Sequence, residues 1–190
     1  MKLFSLLIPL ATASFAAAAP AVTARQFQVG DILYPSGTYR NWVQTGNIIQ
    51  DPQDQLLVVK NGIPVEETTA IVTFDFPTDS QGKKCELIFE LWGDRDHSTG
   101  SQTLDVFTYS DPPRVLSDFA AELKGRDVHV GRIVAPLQDN ATWIQSYHGY
   151  PVIDCPAGQY LGFQYVGVDD AVEVRWDIGV TGPRFRIHYD

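Results

Sequence analysis

The chain has 190 residues, 44% of them hydrophobic, and sets 23 acidic against 14 basic side chains for a formal charge of -9. That length is enough for one sizeable core and gives little support for two domains. The acidic balance argues against nucleic acid or an anionic membrane as a partner, since both need clustered Lys and Arg.

Residues 1–18 read as a secretory signal peptide, with basic Lys2, an apolar run from Leu3 to Phe15 and an alanine tract, and with cleavage expected after Ala18. The run is shorter than the roughly 20 residues of a spanning helix and Pro9 interrupts it; no later stretch is long enough, so no membrane span is expected. Residues 19–26 are expected to form a flexible N-terminal segment, in which Arg25 is a weak mark for propeptide removal. Residues 27–190 then form a single β-sandwich domain.

Tyr34 to Gly46 mixes turn residues with aromatics, which fits an edge strand or a lacing loop. Gln55 to Lys60 is a short strand that ends at Asn61-Gly62, a hairpin-turn dipeptide, with Ile63-Pro64-Val65 expected to return as an edge. Thr68 to Leu91 is the most regular stretch. Ala70, Val72, Phe74 and Phe76 share one face, and after Pro77 to Lys84 so do Cys85, Leu87, Phe89 and Leu91. This period of two reads as a hairpin whose apolar faces meet one core.

Gly93 to Gln102 reads as a polar loop and Leu104 to Tyr109 as a strand. Pro112 to Lys124 is the one plausible helix: Asp111 can cap it, Leu116, Phe119 and Leu123 recur on one face, and Gly125 ends it. His129 to Ala135, Ala141 to Ile144 and Tyr160 to Val166 read as strands, followed by the alternating sets Val172, Val174, Trp176, Ile178 and Phe185, Ile187, Tyr189. The fold class expected is all-β: a two-sheet antiparallel β-sandwich, with the jelly roll among its forms and at most one short helix.

The two cysteines, Cys85 and Cys155, follow a secretory signal, and a disulfide is their expected state rather than a metal site or a nucleophile. Asn140-Ala141-Thr142 is the sole N-glycosylation sequon and is expected in a surface loop.

Tyr34-Pro35, the segment TTAIVTFDFP, the run Gly82-Lys83-Lys84-Cys85-Glu86-Leu87, then Asp154-Cys155-Pro156-Ala157-Gly158 and the glycine-led last strand at Gly182 resemble one family across most of the mature chain. It is the C-terminal domain of the fungal ubiquitin-3-binding-protein (But-type) family. The resemblance implies a β-rich protein secreted by filamentous fungi, with no established activity and no catalytic residues to carry over. Its name implies no ubiquitin partner for a chain with a signal peptide.

No catalytic motif emerges from the residues themselves. Glycoside hydrolysis needs two carboxylates about 5 to 10 Å apart, whereas Glu86 and Glu90, like Glu173 and Asp177, stand roughly 13 Å apart along their strands and read as solvated face residues. His97, His129, His148 and His188 lack metal-ligand spacing. Asp94, Asp96, Ser98 and Asp105 echo a calcium loop, but Thr99 stands where glycine is wanted and Asp105 where Glu is usual, so an acidic loop is expected. No metal and no cofactor are expected. Of the tryptophans, Trp176 belongs to a core face, while Trp42 and Trp92 are the candidate ligand-facing aromatics. The function expected is that of a secreted, non-catalytic binding or structural module of the cell wall or a host surface, monomeric, whose partner is a cell-wall polysaccharide or an extracellular protein. The alternative is a secreted carbohydrate-active enzyme with carboxylates drawn from separate strands.

Overall fold

The computed structural model describes residues 31–114, 125–169 and 171–188. The expected signal peptide and the segment 19–26 lie outside the described residues, as does the expected helix from residue 115 onward. The strands are β1 (Asp31–Leu33), β2 (Gly37–Trp42), β3 (Ile48–Gln50), β4 (Leu56–Lys60), β5 (Thr68–Asp75), β6 (Lys84–Leu91), β7 (His97–Gly100) and β8 (Thr103–Ser110). They continue with β9 (Gly125–Val134), β10 (Asp139–Asn140), β11 (Thr142–Ser146), β12 (Val152–Asp154), β13 (Tyr160–Gly167), β14 (Val172–Arg175) and β15 (Gly182–His188).

Every pairing is antiparallel, and the strands form two sheets of a sandwich. The smaller runs β1-β15-β6, and β10 and β12 share the far edge of β6. The larger, a curled half-barrel, runs β11-β9-β8-β13-β5-β4-β14-β7, with β2 beside β5 and β3 beside β2. The two inner faces carry the alternating residues read from the sequence. Phe185 of the small sheet meets Phe74 and Phe76 edge-on, with ring centroids 5.0 and 4.9 Å apart, and Phe89 meets Trp176 in the same way at 5.3 Å. Trp176 is buried in this core, where each large side chain removed from water contributes roughly 1.5 to 3 kcal/mol.

The structure corrects the expected hairpin. Strands β5 and β6 do not pair: β5 lies in the large sheet and β6 in the small one. Phe76 stays buried beyond the end of β5, and its N–H donates to the Gln159 carbonyl at 2.9 Å instead of starting a turn back. A single 3-10 turn, Thr78–Ser80, then carries the chain across the core. The return crossing, from β12 to β13, runs alongside, with Gly158 N–H donating to the Phe76 carbonyl at 3.0 Å and Cys155 N–H to the Lys83 carbonyl at 3.0 Å. Cys85 and Cys155 are joined by a disulfide at this double crossing, their Cα atoms 5.0 Å apart.

Three smaller readings also change. The segment after Tyr34 is no edge, because β2 lies between β3 and β5 with Thr38 and Tyr39 buried. Ile63-Pro64-Val65 does not return as a strand. The Asn61 side chain accepts from Ile63 N–H at 2.9 Å and Glu66 N–H donates to the Ile63 carbonyl at 2.9 Å, which folds the segment into a turn. Within the expected loop 93–102, β7 forms an edge strand on β14, where Ser98 donates to the Ala135 carbonyl at 2.6 Å.

Candidate functional site

Two strands converge on one residue to open a groove. Thr68, the first residue of β5, pairs both with Trp42 of β2 and with Val59 of β4, and Val59 in turn pairs with Glu173 of β14. All four line a groove of about 360 Å³, which Arg40 and the turn carrying Asn61, Val65 and Glu66 also line. The candidate aromatic Trp42 therefore stands in a concave surface and is half-buried there.

Arg40, two residues before Trp42 on the same face of β2, fixes that ring. Its Nη1 donates to both Asp54 carboxylate oxygens at 2.8 Å and to the Leu56 carbonyl at 3.0 Å, and its guanidinium carbon lies 4.6 Å from the centre of the Trp42 ring. Partial burial pushes the Asp54 carboxyl up, but the Arg40 hydrogen bond and charge outweigh it, helped by Leu56 N–H, and hold the group below its ordinary range. Arg40 is thus already paired with Asp54, and its guanidinium lies over the indole as part of the same groove lining. Across the groove, Asn61 Nδ2 donates to Glu66 Oε2 at 2.7 Å, and Glu173 stands 3.6 Å from His97 Nε2. Glu66 and Glu173 are both exposed, so an aromatic ring, carboxylates and an amide share one concave surface. That is the equipment for stacking on a ring while bonding its hydroxyl or amino substituents.

The other candidate residues are placed elsewhere. Trp92 is 53% exposed just past β6 but does not line this groove, so the structure does not gather the two tryptophans into one strip. Asn140 is exposed, on the two-residue strand β10 rather than in a loop, directly opposite Glu90. Each carboxylate weighed for hydrolysis has a partner. Arg184 donates to Glu90 at 2.6 Å, Arg186 to Glu86 at 3.2 Å and Gln55 to Asp177 at 2.8 Å, with Glu173 beside His97.

The loose calcium echo dissolves into two unrelated structures. Asp96 is buried and accepts from Gly93 N–H at 2.7 Å, Asp177 N–H at 2.9 Å and the Thr181 hydroxyl at 2.7 Å. Asp105 lies on β8, where Arg132 grips it at 2.7 and 3.0 Å and His129 Nε2 sits 3.2 Å away. Among the described residues no three His, Cys, Asp or Glu side chains are grouped so as to hold a metal ion, and no helix is long and apolar enough to cross a membrane.

Sequence reasoning missed Arg40, Asn61 and Glu66. Arg40 had a signal, since it lies two residues before Trp42 and so on the same face of any strand there. No family model matches the chain, and no curated protein matches it.

Proposed function

We propose that this is a secreted, non-catalytic module of the fungal But-type family that binds a cell-wall polysaccharide through the Trp42 groove. One observation carries the reading: an indole held by the Arg40 guanidinium, in a groove that Asn61, Glu66 and Glu173 also line. Sugar rings present a C–H face to an aromatic plane and a rim of hydroxyls to polar side chains, and the groove offers both. The N-terminal sequence supports an extracellular location, and the disulfide is compatible with it. The pairing of Glu86, Glu90 and Asp177 with Arg and Gln side chains supports a binding role over a hydrolytic one.

The test is retention of the purified mature protein on insoluble β-glucan and on chitin. Wild type is expected to be retained by at least one, Trp42→Ala to fall at least tenfold in retention, and Trp92→Ala to bind as wild type. Equal retention of Trp42→Ala and wild type, or no retention of wild type on either polymer, would sink the reading.

A further inference from the structure

A second, smaller pocket lies on the small sheet. Strands β10 and β12 both pair with one edge of β6, β10 at Glu90 and Leu91 and β12 at Lys84 to Glu86, and they leave a notch between them. The notch encloses about 140 Å³, and its lining includes Ile88, Glu90, Arg186, Trp143 and, on its rim, Asn140.

Register fixes where Asn140 points. Residues directly opposite in an antiparallel pair project to the same face, so Asn140 projects with Glu90, and by the period of two with Ile88 and Glu86, on the outer face of the sheet. Asn140 is also the acceptor of the Asn-Ala-Thr sequon. A sugar joined to its side chain therefore emerges at the mouth of the notch.

We propose that the notch seats the first N-acetylglucosamine of a glycan on Asn140. The proposal rests on the extracellular reading above. Attachment forms a bond from Asn140 Nδ2 to the sugar's anomeric carbon; the diphosphate-lipid of the donor leaves with the bonding pair and one amide proton is released. The seat suits a neutral N-acetylated sugar. Its charged groups are already paired, Glu90 with Arg184 at 2.6 Å and Glu86 with Arg186 at 3.2 Å and with His188 at 3.1 Å. A neutral ligand disturbs no ion pair, while the paired carboxylates keep lone pairs free to accept from sugar hydroxyls. Ile88 and Trp143 offer apolar surface to the ring and the acetamido methyl, and Trp143 is set in place by stacking on Tyr150 at 6.4 Å between ring centres. At about 140 Å³ the notch takes one sugar at most, so the remainder of the glycan projects away from the sheet.

The experiment uses full-length protein secreted by a eukaryotic host and trimmed with an endoglycosidase that leaves one N-acetylglucosamine on Asn140. Its thermal midpoint is compared with that of Asn140→Gln from the same host, and both forms are repeated with Ile88→Ser. The single-sugar form is expected to melt about 2 to 4 °C higher, a shift typical of one modest interaction in a protein of this size. Ile88→Ser is expected to abolish that difference. If Ile88 is merely structural, both forms fall equally and the difference survives, which overturns the proposal. Equal midpoints in the parent pair also overturn it. Unmodified Asn140 in protein recovered from the medium overturns the seat and leaves the groove reading standing, whereas protein that never reaches the medium overturns both.

Discussion

Replacing Asp96 by alanine tests whether one buried carboxylate holds two turns together. It joins the Gly93–Asp96 turn to the Asp177–Thr181 turn, and through them the end of β6 to the start of β15. Hydrogen bonds to a charged group are worth roughly 1.5 to 3 kcal/mol each, but the three bonds are not equally irreplaceable. Asp177 N–H has a second acceptor in the Thr181 hydroxyl at 3.0 Å, and that hydroxyl has the Asp177 carbonyl at 3.5 Å. Only Gly93 N–H is left wholly without its partner, so the expected loss is about 3 kcal/mol rather than the sum of three such bonds. For a protein of this size that corresponds to a fall of about 6 to 12 °C in Tm, and urea unfolding followed by tryptophan fluorescence measures it directly. Asp94, exposed on the same turn, is the control, with a change expected within about 0.5 kcal/mol. A loss below about 1 kcal/mol for Asp96→Ala, or an equal loss for Asp94→Ala, would refute the assignment. Calcium at millimolar concentration is expected to leave the Tm of the parent unchanged.

Removing the disulfide by Cys85→Ala with Cys155→Ala frees a loop spanning a sequence separation of 70 and is expected to cost about 4 kcal/mol through the unfolded chain, read from urea midpoints. Tyr165 has a fully buried hydroxyl without a hydrogen-bond partner among the described residues; Tyr165→Phe is therefore expected to be neutral or to stabilise by about 1 kcal/mol, and a loss above that size contradicts it. Burial pushes the Tyr150 phenol from its ordinary value of 10.0 up to about 12. Between those two values the folded chain holds a proton that the unfolded chain has released, so this contribution to stability is intact below pH 10 and is lost as pH rises toward 12. Tyr150→Phe is expected to flatten that part of the stability profile. Gly182 adopts φ 83° with the Trp176 indole against the space a Cβ would fill; Gly182→Ala is expected to lose about 2 to 4 kcal/mol in thermal or urea unfolding.

Alternation made the strands and their core faces legible, because a residue's side is set by the backbone pleat alone. It made their partners illegible. Phe74 and Phe76 continue one apolar face whether the chain turns back or crosses over, and the outcome is decided by a hydrogen bond to Gln159, far along the chain. Strand β7, His-Ser-Thr-Gly, has no apolar period at all and exists because β14 offers it a ladder. The groove shows the same division. Trp42 was identifiable as an aromatic outside the clear core faces, but its surroundings come from β4, the 61–67 turn and β14, which meet only in the folded chain. Glu173 read as a solvated face residue, and it is exposed; its membership of the groove follows from its pairing with Val59.

The bond between Cys85 and Cys155 makes a covalent ring of everything from β6 through β12, strands drawn from both sheets. A protease that cuts one peptide bond inside that ring releases no fragment, since each new end remains attached through a sulfur. The nicked molecule keeps its mass apart from the added water, runs as one band until a reducing agent is added, and can close again around the same core. A cut outside the ring, at the exposed turn of Asn61 to Glu66, has no such protection. Cleavage there severs β1 through β4 from the rest, and only hydrogen bonds and packing then hold the Trp42 side of the groove to Glu173.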